Sequence, residues 1–372
     1  MFLISFPAAP TVTNLRDGTM VRTSVVILRG KADTATVAIN GAVYPAVGGQ
    51  FAGLAQLHPG ANTVLLASGT AIKELKLRYV PARSRQRVQL VYILGQDEKP
   101  TYIGQTAVGN EADVRDRIVT MAQVLQAFTA QSFADDGYAA KTFTLATDSQ
   151  GRPKVDFIRM PESGDDLRRL DGGQLYGLFS PRLDARYNPE TTKILAMMGS
   201  TRYDVATRTA QAHTALGGGS LALFGSGALR FLPTSIADVP RAFLDGRYVD
   251  SKVEFDDSGN RQRAWANAAT AYGACMHELG HAFGLPHSPE RQSIMSRGFD
   301  LINRNWILRE PRTGEAEPVV DPATRANWST TWAARLNLSP WFQPDGARTP
   351  VGEPPSIDVK GGVVTIRATE GR

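Results

Sequence analysis

Three of the chain's five histidines fall within eleven residues, at His277, His281 and His287, and that spacing dictates the local fold. Residues four apart share a face on an α-helix, so His277 and His281 predict a helix through "MHELGHAF", within a segment from Trp265 to Phe283 that has helical spacing. Gly284 comes three residues after His281, where a glycine can adopt the left-handed conformation that ends a helix. Pro286 keeps the helix from continuing. The chain can then turn back and bring His287 to the other two. Two neutral imidazoles at this spacing, with a third from the returning loop, form a three-ligand set for one Zn²⁺ with a fourth position open. Glu278 stands beside that open position, where a carboxylate can take a proton from zinc-bound water and later deliver it to a leaving amine.

The full pattern, HExxHxxGxxH from His277 to His287, resembles the metzincin superfamily of zinc endopeptidases. In that superfamily a methionine-containing turn lies beneath the metal, and "SIMS" places Met295 eight residues after His287. This spacing and Ser288 look like the matrixin branch. The longer stretch "HELGHAFGLPHS…SIMSRGFD", with Asn303 and Arg304 and the upstream "ALGGGSLALFGSGALRFLP", looks closer to a little-characterised family of microbial metallopeptidases. The likeness spans residues 88 to 342. It implies one zinc per chain held by His277, His281 and His287, with Glu278 as general base and then general acid. It further implies that the segment from Gly217 to Leu232, with Leu221 and Leu223, is the exposed edge strand above the metal.

The departures carry expectations of their own. Matrixins hold a structural zinc with further histidines; only His58 and His213 are to spare, so no second zinc is expected. Some metzincins have a tyrosine ligand two residues after the methionine, where Arg297 stands here. Arg297 and Asp300 either line a cleft or pair to fix the turn. Cys275, the single cysteine, lies on the motif helix off the ligand face and reads as a buried small residue.

At 372 residues the chain exceeds the usual size of one domain. Residues 8 to 81 read as all-β: branched runs at Val25–Leu28, Thr36–Ile39 and Thr63–Leu66 are separated by turn signals at 17–18, 40–41, 48–49 and 59–60. This stretch resembles the immunoglobulin-like modules attached to microbial extracellular and carbohydrate-active enzymes, which implies a β-sandwich with a possible glycan or protein ligand. "PARSRQR" reads as a linker. Beyond it, strands are expected at Val88–Leu94, Phe143–Ala146, Val155–Ile158 and Ile194–Met198, a long or bent strand at Ser220–Leu232, and helices at Glu111–Phe133 and Thr324–Leu336. The expected fold is therefore an α+β metzincin-like catalytic domain at 83–342 after an immunoglobulin-like sandwich at 1–82. Residues 343–372 are expected to be a linker and a β-hairpin turning at Gly361-Gly362, the possible start of another module.

Composition narrows the function classes. With 42% hydrophobic and 21% charged residues the chain is of ordinary globular type. Its charge of +5 comes from scattered Lys and Arg without interleaved aromatics, which argues against nucleic-acid binding. No run of 18 apolar residues occurs, so no membrane span is expected. "MFLISFPAAPTV" lacks a positive leading region, which makes it a poor signal peptide and tilts the expectation toward a cytoplasmic location. The leading function is a zinc-dependent endopeptidase acting on peptide or protein. Alternatives are a zinc hydrolase of another amide, such as a cell-wall or glycan-linked one, and a non-catalytic binding protein.

Overall fold

The structure is a computed structural model, and it describes residues 8–103, 107–318, 320–344, 356–360 and 363–367. The apolar residues at 1–7 lie outside them.

The first eight strands are β1 (Thr11–Val12), β2 (Thr19–Val21), β3 (Val25–Lys31), β4 (Thr36–Ile39), β5 (Ala42–Val47), β6 (Gln50–Gln56), β7 (Gly60–Ser68) and β8 (Ala71–Tyr79), hydrogen-bonded in the order β1-β3-β6-β5-β4-β7-β8-β2. The expected turns at Asn40-Gly41 and Gly48-Gly49 join β4 to β5 and β5 to β6, all four residues at positive φ, as two-residue hairpins require. Side chains alternate with period two: Val64 and Leu66 of β7 are buried while Leu65 faces outward.

The second layer system begins at β9 (Arg87–Leu94). A small hairpin, β10 (Tyr102–Ile103) and β11 (Ala107–Val108), precedes helix α1 (Glu111–Asp135). Asn110 caps α1 by accepting the Asp113 N–H. Then come β12 (Val155–Arg159), α2 (Gly164–Arg168), α3 (Gly172–Arg186) and β13 (Thr192–Met198). A second hairpin, β14 (Arg202–Asp204) and β15 (Thr209–Gln211), leads to β16 (Ala215–Gly218) and β17 (Leu221–Gly225). Helices α4 (Val239–Phe243), α5 (Ala264–Ala282) and α6 (Thr330–Leu338) follow, and β18 (Ser356–Lys360) pairs antiparallel with β19 (Val363–Arg367). Gly361-Gly362, expected at the turn of that hairpin, lies outside the described residues.

The result is a mixed α/β fold. Its five-stranded sheet has the order β12-β9-β13-β17-β16, with four parallel strands and antiparallel β16 at one edge. Val91, Ile93, Ile194, Ala196, Leu221 and Leu223 face one side and bury Leu175, Phe179 and Leu183 of α3. Their alternates Leu90, Tyr92, Leu195, Met197, Ala222 and Phe224 face the other side, in the core shared with α1 and α5. That core continues without a break into the buried residues of β3 and β6. Polar contacts reinforce the junction: Arg29 pairs with Asp135 at 2.6 Å and donates to Asn305 at 2.8 Å, and Asn14 donates to Gln131.

Several elements differ from the sequence reading. Leu221 and Leu223 lie on interior strand β17, bonded on both sides to β13 and β16; the free edge is β16. The expected long strand at 220–232 stops at Gly225, and Leu229–Phe231 is a 3₁₀ turn. Residues 143–146 form a single isolated bridge, Leu145 to Val88, instead of a regular strand. Helix α6 starts at Thr330, six residues late, because the chain at Asn327 first bridges to Ser293 and Ser329 takes φ +63°.

Candidate metal centre

Helix α5 carries the site. Its Ala-rich sequence favours a helix, and it is buried nearly all round because layers close on it from both sides. Glycines allow the closest approaches: a Cβ on Gly273 would lie 1.9 Å from the Phe299 carbonyl oxygen, and one on Gly280 would lie 2.2 Å from Met295 Sδ. The helix ends as the sequence implies. Gly284 takes φ +84°, its N–H donates to His281 O, and the Leu285 N–H donates to Gly280 O, the paired bonds of a Schellman cap.

The returning chain brings the three histidines together. His277 Nε2 lies 3.1 Å from His281 Nε2, which lies 3.3 Å from His287 Nε2. Two backbone carbonyls fix the rings. His277 Nδ1 is 2.7 Å from Ile294 O, and His281 Nδ1 is 2.8 Å from Leu285 O. A carbonyl can only accept, so each Nδ1 carries the proton and each neutral ring turns its Nε2 lone pair inward. Burial pushes the His277 pKa down to about 4 and lowers that of His281, which favours those neutral forms. Converging lone pairs repel unless they share an electrophile. Nitrogens about 2.0–2.1 Å from a tetrahedral zinc stand about 3.3 Å apart, close to the spacing observed. The donor set therefore fits a zinc ion, and among the described residues it is the one cluster of this kind.

Glu278 is buried one residue after His277, and burial pushes its carboxyl up to about 7. Above it runs the edge strand. The Gly225 N–H donates to Thr214 O, so Thr214, Leu216 and Gly218 turn their polar groups toward β17. By the antiparallel alternation, Ala215 and Gly217 turn N–H and C=O to the open edge. Tyr176 of α3 donates to Gly218 O at 2.8 Å and pins the turn that follows.

Met295 is fully buried against Gly280, and its carbonyl accepts the Ser288 N–H at 2.9 Å. Arg297 and Asp300 pair with each other, and Arg297 also lies over the Phe299 ring at 4.8 Å. Half-buried Arg261 reaches Asp300 as well, donating to its carbonyl at 2.7 Å. Phe299 in turn stands 5.5 Å from the His277 ring, an arrangement the sequence reading did not anticipate. The two spare histidines are elsewhere. His58 is exposed at the end of the β6–β7 connection, and His213 packs on Phe224 and Phe255 with Nε2 3.7 Å from Asp257. Cys275 is buried and its thiol is pushed up by that burial, which removes it as a nucleophile.

Three converging imidazoles with a neighbouring buried carboxyl make an open three-nitrogen metal site with a proton-transfer group beside it. Residues 9–371 match the family described as "Putative peptidase family", and the chain belongs to it. It is similar to a protein named putative zinc metalloproteinase from Schizosaccharomyces pombe, 28% identical over 342 residues that cover 85% of this chain and 55% of that protein. A protein of the same description from Saccharomyces cerevisiae is 23% identical over 380 residues, covering 88% and 54%. The chain thus spans about half the length of the curated relatives it matches. A crystal structure of OgpA from Akkermansia muciniphila aligns with 78% of this chain and 73% of its own at 17% identity and a TM-score of 0.45. Among the described residues no helix is long and apolar enough to cross a membrane.

Proposed function

We propose that the chain is a zinc-dependent endopeptidase of metzincin type. The observation that carries this reading is the inward turn of the His277 and His281 lone pairs, each fixed by a carbonyl behind the ring, with His287 completing the set. One zinc ion held there would supply Lewis acidity for the scissile carbonyl and the attacking water. Glu278 takes a proton from that water as the oxygen bonds to the carbonyl carbon. It gives the proton to the leaving nitrogen as the C–N bond breaks. Burial favours the protonated form of the Glu278 carboxyl, a direction that suits its return of the proton to the leaving nitrogen. The outward groups of Ala215 and Gly217 hold an extended substrate as an added strand. Met295, packed under Gly280, serves as the methionine turn that supports the histidine platform. Residues 1–82 are read as an immunoglobulin-like sandwich and 83–342 as the catalytic domain.

Elemental analysis and a peptide-library digest test this reading. The expected result is one zinc per chain, with internal cleavage of peptides that a chelator abolishes and added zinc restores. Zinc bound without peptide cleavage would overturn the peptidase assignment and turn attention to other amides.

A further inference from the structure

A cleft of about 660 Å³ lies between the N-terminal strands, the 81–87 connection and the 141–153 segment, apart from the histidines. That volume is in the range of ligand sites, which favour junctions of this kind. Five cations line it, Arg22, Arg83, Arg87, Lys141 and Arg152, against a single carboxylate, Asp148. Arg152 pairs with Asp148 at 2.9 Å, and Lys141 donates to Asn337 O. Arg22, Arg83 and Arg87 are exposed and have no carboxylate partner among the described residues. One such cation is an ordinary solvated side chain. Three around one concavity, Arg22 from the β2–β3 connection and Arg83 and Arg87 from the 81–87 connection, leave a positive field uncompensated.

The remaining lining adds hydrogen-bonding capacity. Gln56 and Gln123 use their Nε2 groups on the Ser24 carbonyl and hydroxyl, and Gln126 uses its own on Phe143 O. Their amide oxygens are left as acceptors. The buried hydroxyl of Thr142, also in the lining, has no partner among the described residues.

We propose that this cleft is an accessory groove for an acidic polypeptide segment. Side-chain carboxylates of the segment pair with Arg22, Arg83 and Arg87, for which the guanidinium fork is suited. Its backbone N–H groups donate to the glutamine oxygens. A condensed phosphate would use the same cations, but it has only acceptors to offer and would meet Asp148 and those amide oxygens as repelling neighbours. The floor of the cleft packs into the core, where Phe143 and Phe342 stand 5.8 and 4.9 Å from Phe283. Binding of an acidic segment there is independent of the peptidase reading.

Binding to the whole chain, with no turnover measured, provides the test. Fluorescently labelled hexaglutamate is titrated by anisotropy against the parent and an R22Q/R83Q/R87Q variant, with hexaglutamine and tripolyphosphate as comparison probes. Hexaglutamate is expected to bind the parent, more weakly as salt rises, and to lose about tenfold in affinity in the variant, as three weakened surface ion pairs allow. Arg169→Gln and Arg241→Gln, on exposed cations outside the cleft, should leave it unchanged. Equal binding by the triple variant, absence of binding, or equal affinity for hexaglutamine overturns the proposal. Tighter binding of tripolyphosphate than of hexaglutamate overturns it in favour of a small-oligoanion site.

Discussion

Gly217 and Glu278 meet backbone to backbone: a Cβ on Gly217 would lie 2.1 Å from the Glu278 carbonyl oxygen and 2.8 Å from its Cα. No side chain fits between the edge strand and the helix turn that bears the site. Gly217→Ala must therefore push β16 off α5, at a cost of about 1–3 kcal/mol, the range for overpacking. Gly218→Ala is the control, since its Cβ would make an ordinary 3.5 Å contact with the Tyr176 hydroxyl. Denaturant melts should separate the two variants, and kcat/KM should fall only for Gly217→Ala. Equal stability would mean that the contact relaxes freely.

The edge itself can be probed at Ala215. Its N–H faces away from β17, so Ala215→Pro removes an outward donor without touching the β16–β17 ladder, a placement edge strands tolerate. Losing one substrate hydrogen bond should lower kcat/KM on an extended peptide about three- to tenfold at unchanged zinc content. A folded variant with parental kinetics would remove β16 as the substrate rail.

Acid sensitivity should trace in part to Glu310. Burial pushes its carboxyl up, but the hydrogen bonds and charge of Arg304, with the Asn303 amide, outweigh that and hold the pKa below the ordinary 4.5. A depressed folded-state pKa contributes stability that is fully present above 4.5 and is lost as pH falls through the folded value. Glu310→Gln should cost about 3 kcal/mol at pH 7, since it strands the Arg304 charge. The gap between variant and parent should then narrow below pH 4.5. A gap constant with pH in denaturant melts would contradict this assignment.

Much of the site was legible because its chemistry is local. His277, His281, Gly284 and His287 lie within about three helical turns of sequence, so the convergence of the imidazoles and the glycine helix end follow from their spacing. Strands β9 and β13 were equally plain, since buried parallel strands are near-continuous apolar runs. Helix α3 escaped the reading, with two glycines at its start and Pro181 inside it. Its signal was the capping box of Asp171 and Gln174 ahead of Leu175, Phe179 and Leu183. The edge strand was misplaced for another reason. Leu221 and Leu223 carry the stronger strand signal because they are buried on an interior strand, whereas the actual edge, "ALGG", is short and glycine-rich. The carbonyls of Ile294 and Leu285 that orient the rings carry no sequence signal at all, since every residue has one.

The most direct measurement of the central claim is the turnover of Glu278→Ala on a peptide that the parent cleaves, made on zinc-loaded protein. If Glu278 moves the proton while the three histidines hold the metal, the variant keeps its zinc and loses at least about 10²- to 10⁴-fold in kcat. Turnover near the parental rate, with zinc in place, would contradict the account.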